Sequence, residues 1–287
     1  MKKFFIITNH IKDPELKTTY RIREMILEKQ GSCQIHDSAE ALSSEEGFHY
    51  TDPSIIPEGT ECILVLGGDG TLLNAARDLK ETSYPLLGIN LGTLGYLAEI
   101  EVNAFGDALE RLMDDEYTVE PRMMLHGKVM HGDEVLTEDT ALNDIVIGRR
   151  GHLRVVCFNV YVKETFLCSY RADGVILSTA TGSTGYSLSA GGPIVSPDAD
   201  LILMTALAPH SLNSRTVVLP RDVTVCVELG EDRAGEEGCA EVTFDGAHSL
   251  LIRSGDRVII SRSEMTTPLV RVYHTSFVEV LSQKMKQ

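Results

Sequence analysis

The sequence predicts an α/β domain with a parallel sheet followed by a β-rich domain, and three observations carry that reading. Apolar runs alternate with amphipathic stretches as far as Tyr117. Beyond it, β-branched runs recur with tight turns and little helix. Two glycine-rich turns each follow directly on a buried-strand run, ILVLGGDGT at 63–71 and GVILSTATGSTG at 174–185.

The first domain opens with Phe4 to Thr8, a short apolar run of buried-strand length. Asp13 is placed to cap a helix that has Pro14 at its first position, with Leu16, Tyr20, Met25 and Leu27 along it and Gly31 at its end. Cys33 to His36 completes a β-α-β start. The first turn, Asn9 to Lys12, lacks G-x-G-x-x-G, so the usual dinucleotide fingerprint is missing where it would stand. Residues 37–60 are polar and read as a flexible connection. Glu61–Leu66 and Tyr84–Asn90 read as strands, Leu72–Leu79 and Phe105–Met113 as helices.

In the second domain Val156, Phe158, Val160 and Val162 recur at period two within Leu153–Val162. Lys163-Glu164 is a hairpin turn and Thr165–Tyr170 the return strand. Further strands are expected at Val217–Leu219, Val223–Leu229, Glu241–Phe244, Ser249–Arg253 and Arg257–Ser261, with Glu231–Gly238 as an exposed loop. A cleft between two such domains is the default place for a ligand.

Composition narrows the ligand. The 287 residues carry 42 acidic and 26 basic side chains, a net charge of −16. A broad nucleic-acid or anionic-membrane face is therefore not expected, and an anionic ligand must be met locally, by a few arginines, backbone N–H groups or a divalent cation. Hydrophobic residues, 43% of the chain, suffice for a substantial core. The six cysteines form no CxxC pair, which suits thiols in a reducing cytosol. No apolar run approaches the ~20 residues of a membrane span, and the apolar piece after Met1-Lys2-Lys3 is too short for a signal peptide. A cytoplasmic location is expected.

The turn Gly67-Gly68-Asp69-Gly70-Thr71 looks like a phosphate loop: Gly67, Gly68 and Gly70 let a ligand approach the backbone, Thr71 can cap the helix that follows, and the helix N-terminus favours an anion. It has no Gly-Lys-Ser/Thr ending, so it is not a Walker A loop. Asp69 repels phosphate unless it holds Mg²⁺ or accepts the proton of an alcohol. Both jobs belong to phosphoryl transfer onto a hydroxyl; a simple strand-to-helix turn with a local Asp cap is the plainer reading. A second stretch, 171–193, places Thr181, Ser183, Thr184, Ser187 and Ser189 around Gly182 and Gly185, with Tyr186 offering a flat face for a ring. Its spacing is not that of a nucleophile elbow. In Asn143-Asp144, ahead of a strand, two side chains could bond both hydroxyls of one ribose.

Together these stretches closely resemble the NAD kinase family: GGDGT (67–71), GINLGTLGYL (88–97), NDIVIGR (143–149) and RADGVILSTATGSTGYSLSAGGPIVSP (171–197), extended by APHSLNSR (208–215) and FDG (244–246). The long central motif is specific; GGDGT alone is shared in outline with phosphofructokinases and diacylglycerol kinases. The resemblance implies transfer of the terminal phosphoryl of ATP to the 2′-hydroxyl of the adenosine ribose of NAD, with Mg²⁺ or another divalent cation, and with polyphosphate a conceivable donor. It implies Asp69 as proton acceptor with Gly70 beside the ligand. Asn143 and Asp144 match the family's ribose- and pyrophosphate-contacting pair, and Arg154, Arg171 and Asp173 fall on dinucleotide-contacting positions. Thr184, Gly185, Tyr186, Ser187, Leu188 and Ser189 match a nucleotide loop, and Ala208 lines the pocket. It implies an α/β domain over 1–118, a β-rich dinucleotide-binding domain over 119–264, and a segment over 265–287 returning to the first, in a homodimer or homotetramer.

Ala247 stands where the family commonly has Gln, and Gly185 where many relatives have Ala. Two other readings remain open here: a lipid or sugar kinase built on the same GGDGT turn, and a non-catalytic dinucleotide sensor. Arg149, Arg150 and Arg154 are either a solvated edge or a phosphate clamp. No HExxH or Cys/His cluster appears among the nine histidines, of which His210 alone stands in a matching stretch.

Overall fold

A run such as Phe-Phe-Ile-Ile has no polar face, so it can only be a strand covered on both sides. The computed structural model describes residues 1–36, 42–44, 47–49, 51–92, 95–150, 156–211, 214–231, 238–273 and 275–286. The chain divides into two units, Met1–Arg122 with Thr267–Gln287, and Met123–Thr266.

In the first unit the elements run β1 (Lys3–Thr8), α1 (Lys17–Glu28), β2 (Ser32–Ile35), β3 (Leu42–Ser44), β4 (Gly47–His49), β5 (Cys62–Gly67), α2 (Asp69–Asp78), β6 (Leu86–Asn90), β7 (Ile100–Glu101) and α3 (Phe105–Met113). Strands β2, β1, β5 and β6 lie side by side and parallel, with β7 parallel to β6. Every residue of β5 and β6 is buried. Helix α3 buries Phe105, Ala108, Leu109 and Leu112, one stripe at helical spacing, beside Ile22 and Ile26 of α1.

Helix α1 starts at Lys17, not Pro14, because Leu16 turns into the left-handed region (φ 54°). Asp13 still serves the helix from outside: its carboxylate accepts from the N–H groups of Thr18 (3.3 Å) and Thr19 (2.9 Å). The stretch read as a flexible connection contains the antiparallel ribbon β3–β4, with Leu42 opposite His49, and a short 3₁₀ turn at Pro53–Ile55 capped by Asp52. Residues 37–41, 45–46 and 50 of it lie outside the described residues.

The chain continues through β8 (Thr118–His131), β9 (Glu134–Ala141), β10 (Asp144–Arg149), β11 (Val156–Val162), β12 (Thr165–Ala172), β13 (Gly174–Thr179), α4 (Tyr186–Ser189), β14 (Leu201–Leu207), β15 (Val217–Pro220), β16 (Val225–Leu229), β17 (Cys239–Phe244), β18 (Ala247–Arg253) and β19 (Arg257–Arg271). In the second unit the order β15-β14-β13-β10-β17-β18 is antiparallel throughout. A further antiparallel set runs β12-β11-β16-β19. Phe158 and Val160 of β11 are buried with Ile145, Ile147, Val175 and Leu177, as the period-two pattern requires. Lys163 (φ 47°) and Glu164 (φ 65°) form the two-residue hairpin turn, both left-handed. Strand β14 lies outside the expected strands, and β19 runs ten residues past Ser261 into the first unit, where its Leu269 pairs in parallel with Leu86 of β6. A last helix, α5 (Phe277–Lys284), opens on a capping box between Ser276 and Glu279. Its Phe277 ring lies 6.3 Å from the Tyr96 ring, tilted by 40°, and Lys284 Nζ lies 4.6 Å from the Tyr96 ring centre.

Candidate active site

The glycine-aspartate turn is built by close approach. Strand β5 ends at Gly67, and α2 begins two residues later at Asp69. The helix starts three residues before the expected Leu72, because Gly68 takes the cap position and Thr71 sits inside the first turn. Thr71 Oγ1 accepts from the Gly68 N–H at 3.4 Å and from Asn9 Nδ2 at 3.0 Å. A Cβ on residue 67 would stand 2.2 Å from that Oγ1, so the turn closes only with glycine there. Gly70 is exposed, with open space above its Cα.

Asp69, at the first position of α2, turns its carboxylate onto the backbone of 96–98. Tyr96 N–H donates to Oδ2 at 2.7 Å; Leu97 and Ala98 N–H groups both donate to Oδ1 at 3.1 Å. An ionised carboxylate offers about four lone-pair directions, so Oδ2 keeps one for another hydrogen. Gly95 makes the arrangement possible: a Cβ there would lie 1.8 Å from Asp69 Oδ1.

The remaining matched residues belong to the second unit. Asn143 and Asp144 stand at the entry of β10, and their backbone is gripped by Asp245. The Asp245 carboxylate accepts from the N–H groups of Leu142 (2.7 Å), Asn143 (2.8 Å) and Asp144 (3.0 Å). Asp245 and Gly246 form the turn between β17 and β18, both at positive φ (49° and 69°). Burial, and after it the neighbouring Asp245 charge, push the Asp144 carboxyl from an ordinary 3.8 up to about 7. Asn143 Oδ1 is buried and has no hydrogen-bond partner among the described residues.

The loop 181–189 closes over the same pair. A Cβ on Gly182 would meet the Asn143 carbonyl oxygen at 2.2 Å, and one on Gly185 would lie 3.6 Å from Asn143 Nδ2 and 3.9 Å from Asp144 Oδ2. Position 185 therefore faces both side chains. The hydroxyls divide into two groups. Ser183 exchanges bonds with Val195 (3.0 and 3.2 Å), and Ser187, fully buried, contacts Thr205 Oγ1 at 3.3 Å. These two hold the loop in shape. Ser189 is exposed, and Tyr186 leaves 45% of its surface in solvent as a flat platform. Thr184 is half-buried, its hydroxyl 3.5 Å from the Thr181 carbonyl, and Leu188 is half-buried too.

Asp173 pairs with Arg149, Nε to Oδ1 at 2.6 Å. Arg171 is exposed, and its carbonyl accepts the His210 N–H at 2.8 Å. Ala208, exposed, adopts a left-handed backbone (φ 44°), a conformation that costs an L-residue roughly 1 kcal/mol and turns the chain back toward Arg171. Arg154 lies outside the described residues, as do Thr93, Leu94, Leu212 and Asn213 of the matching stretches.

Among the described residues no group of three or more His, Cys, Asp or Glu is placed to hold a metal ion. Asp69 gives three N–H donors its oxygens and keeps one direction on Oδ2, so alone it offers far fewer oxygens than a protein-built divalent-cation cage needs. Sequence reasoning did not single out Gly95 or Asp245. Both sit inside quoted motifs, but a glycine's steric role and a carboxylate's grip on distant N–H groups become legible only in three dimensions.

A parallel α/β unit whose strand-to-helix glycine turn presents an oriented carboxylate, with a β-rich unit carrying a polar nucleotide-type loop, defines a phosphotransferase acting on an alcohol. Residues 4–117 match the ATP-NAD kinase N-terminal domain and residues 142–272 the ATP-NAD kinase C-terminal domain. The chain is 44% identical to an NAD kinase of Agathobacter rectalis over 99% of both chains, and 41% identical to one of Lachnospira eligens over 99% of this chain and all of that one. It belongs to the ATP-NAD kinase family. Its fold is shared with a yeast NADH kinase complexed with NADH (TM-score 0.80, 24% identity, 98% of this chain and 86% of that one). The same holds for an Archaeoglobus fulgidus NAD kinase in complex with ATP (TM-score 0.74, 24% identity, 99% and 98%).

Proposed function

We propose that this chain transfers the terminal phosphoryl group of ATP to the 2′-hydroxyl of the adenosine ribose of NAD, giving NADP and ADP. The observation that carries the reading is the Asp69 carboxylate, fixed by three backbone N–H groups with one direction on Oδ2 left for a hydroxyl. The ribose oxygen forms a bond to the terminal phosphorus. The bond to the bridging oxygen breaks, its electron pair leaves with ADP, and the hydroxyl proton passes to Asp69. Such a reaction asks the protein mainly for positioning and charge stabilisation. A base placed this way contributes typically ~10²–10⁴-fold.

We assign the ribose and ring contacts to Asn143, whose buried Oδ1 lacks a hydrogen-bond partner among the described residues, to the buried Asp144, and to Thr184, Ser189 and Tyr186, which keep part of their surface in solvent, and give Ser187 a supporting role. Gly70, Gly185, Leu188 and Ala208 would border the dinucleotide, and Arg171, Asp173 and Arg154 would complete its contacts. A divalent cation, on this reading, arrives as the counter-ion of the ATP phosphates rather than in a protein cage. We infer a cytoplasmic protein that forms a homodimer or homotetramer. All six cysteines are free thiols, which supports a reducing compartment, and no helix among the described residues is long and apolar enough to cross a membrane.

Incubation with NAD, ATP and Mg²⁺ beside an NADP-specific dehydrogenase should give a coupled signal, absent with EDTA. Phosphorylation of a diacylglycerol, a sphingoid base or a sugar phosphate, with NAD left untouched, would overturn the reading. Replacing ATP by polyphosphate in the same assay identifies the donor.

A further inference from the structure

We propose that Lys12 is a catalytic residue: its side-chain nitrogen neutralises the phosphoryl group that ATP gives up. The inference rests on the phosphotransfer reading above but concerns the donor, not the acceptor. Lys12 lies in the β1–α1 turn, the one in which a glycine fingerprint is missing, and its Nζ hangs over the glycine-aspartate turn. A Cβ on Gly68 would stand 3.0 Å from Nζ, and one on Gly92 would stand 3.7 Å away. Lys12 forms no ion pair and finds no acceptor for Nζ among the described residues. In a chain of net charge −16, a lysine left without a carboxylate beside a ligand turn is a cation waiting for an anion.

The turn is built to hold it there. Asn9 accepts the Lys12 N–H through its carbonyl (3.0 Å) and its Oδ1 (3.2 Å), and Oδ1 also accepts from Ile11. The same Asn9 side chain donates to Thr71 Oγ1 at 3.0 Å, and its N–H bonds the Leu66 carbonyl at 2.8 Å. One residue thus ties the lysine turn to the glycine turn. The N–H groups of Asp69 and Gly70 have no acceptor among the described residues, and the space above Gly70 is open. Two backbone donors without acceptors thus belong to the turn that a lysine without a carboxylate overhangs, the turn whose Asp69 is the proposed proton acceptor. Arg77, in the same motif, pairs with Asp78 at 3.2 Å and does not supply the charge. A lysine serves here as a compact point charge, as phosphate-binding lysines do elsewhere.

The test compares Lys12→Met and Lys12→Arg with the full-length parent. Lys12 is exposed, so melting temperatures should agree and a folding defect would be visible. Affinities are measured by calorimetry for Mg-AMP-PNP, Mg-ADP and NAD, and kcat and KM by the coupled assay. Lys12→Met should lower kcat about 100-fold, the usual cost of one charge-stabilising donor. It should weaken Mg-AMP-PNP at least about fivefold, while ADP and NAD affinities change less than about twofold. Lys12→Arg should recover part of both losses, since charge stays and shape changes. If the preference for AMP-PNP over ADP and kcat are unchanged in Lys12→Met, or NAD binding alone is lost, the proposal falls. Asp69→Asn separates it from the base reading: that variant should keep the AMP-PNP preference. A fully active Asp69→Asn beside a crippled Lys12→Met would sink the base and leave the lysine standing.

Discussion

The Tyr96 N–H donates to Asp69 Oδ2 over 2.7 Å, and the Leu97 and Ala98 N–H groups complete the grip at Oδ1. Asparagine at 69 would keep one acceptor oxygen for Leu97 and Ala98 but turn an NH₂ group toward Tyr96, donor against donor. Asp69→Asn therefore loses both the proposed proton acceptor and its orientation. Turnover should fall at least ~100-fold, with NAD affinity by calorimetry nearly unchanged. Equal losses of affinity and rate would recast Asp69 as a ligand-holding residue.

Gly95→Ala tests the same relationship from the other side. The new methyl would overlap Asp69 Oδ1 at 1.8 Å, so the carboxylate must swing away and leave N–H groups of the buried Leu97 and Ala98 unpaired. Each such orphan costs about 1–3 kcal/mol. Denaturant unfolding should show a loss of that order together with a fall in kcat of about 100-fold. In the Asp69→Ala background the methyl meets no carboxylate, and Gly95→Ala should then cost much less stability. Additive losses in the double variant would show that Gly95 serves the backbone, not Asp69.

The parallel order of the first unit follows from runs with no polar face, and the hairpin at Lys163-Glu164 from alternation on either side of a polar pair. Both were legible because burial acts on every residue of an element. The start of α2 was not: one side chain, Thr71, folds back onto the Gly68 N–H and moves the boundary by three residues. Strand β14 was missed because Leu-Ile-Leu-Met-Thr-Ala-Leu suits a buried helix as well as a strand. The polar ribbon β3–β4 gives no apolar signal in the sequence. At the site, motif residues named the chemistry, but hydroxyl roles were invisible in one dimension. Ser187 and Ser189 look alike in the sequence; one is buried against Thr205 and the other faces solvent.

Asp144 gives the fold a pH dependence with a definite sign. Its folded pKa of about 7 lies above the ordinary 3.8, so below 3.8 the carboxyl is neutral in both states and its contribution to stability is intact. As pH rises from about 4 to about 7 the unfolded chain releases the proton first, and stability declines; above about 7 the loss is complete. Urea midpoints measured from pH 4 to 8 should show this decline in the parent and a flatter profile in Asp144→Asn. A parent profile that rises across the same interval would contradict the buried, neutral carboxyl.

Asp245 acts on Asn143 and Asp144, the pair proposed to hold the ribose, through the backbone. Its carboxylate holds three consecutive N–H groups, those of Leu142, Asn143 and Asp144, and its left-handed backbone suits few side chains besides Asn and Asp. Asp245→Ala should leave those donors unpaired and cost about 1–3 kcal/mol in denaturant unfolding. With the entry of β10 loosened, KM for NAD should rise at least ~10-fold while kcat changes far less, because the uniform binding of substrate is what is lost. Asp245→Asn keeps the turn and an acceptor oxygen and should fall between parent and alanine variant on both measures. Asp245→Ala would also remove the like charge beside Asp144, lowering that carboxyl's titration midpoint in carbon-detected NMR. An unchanged midpoint, with KM for NAD also unchanged, would reduce Asp245 to a turn residue with no hold on the site.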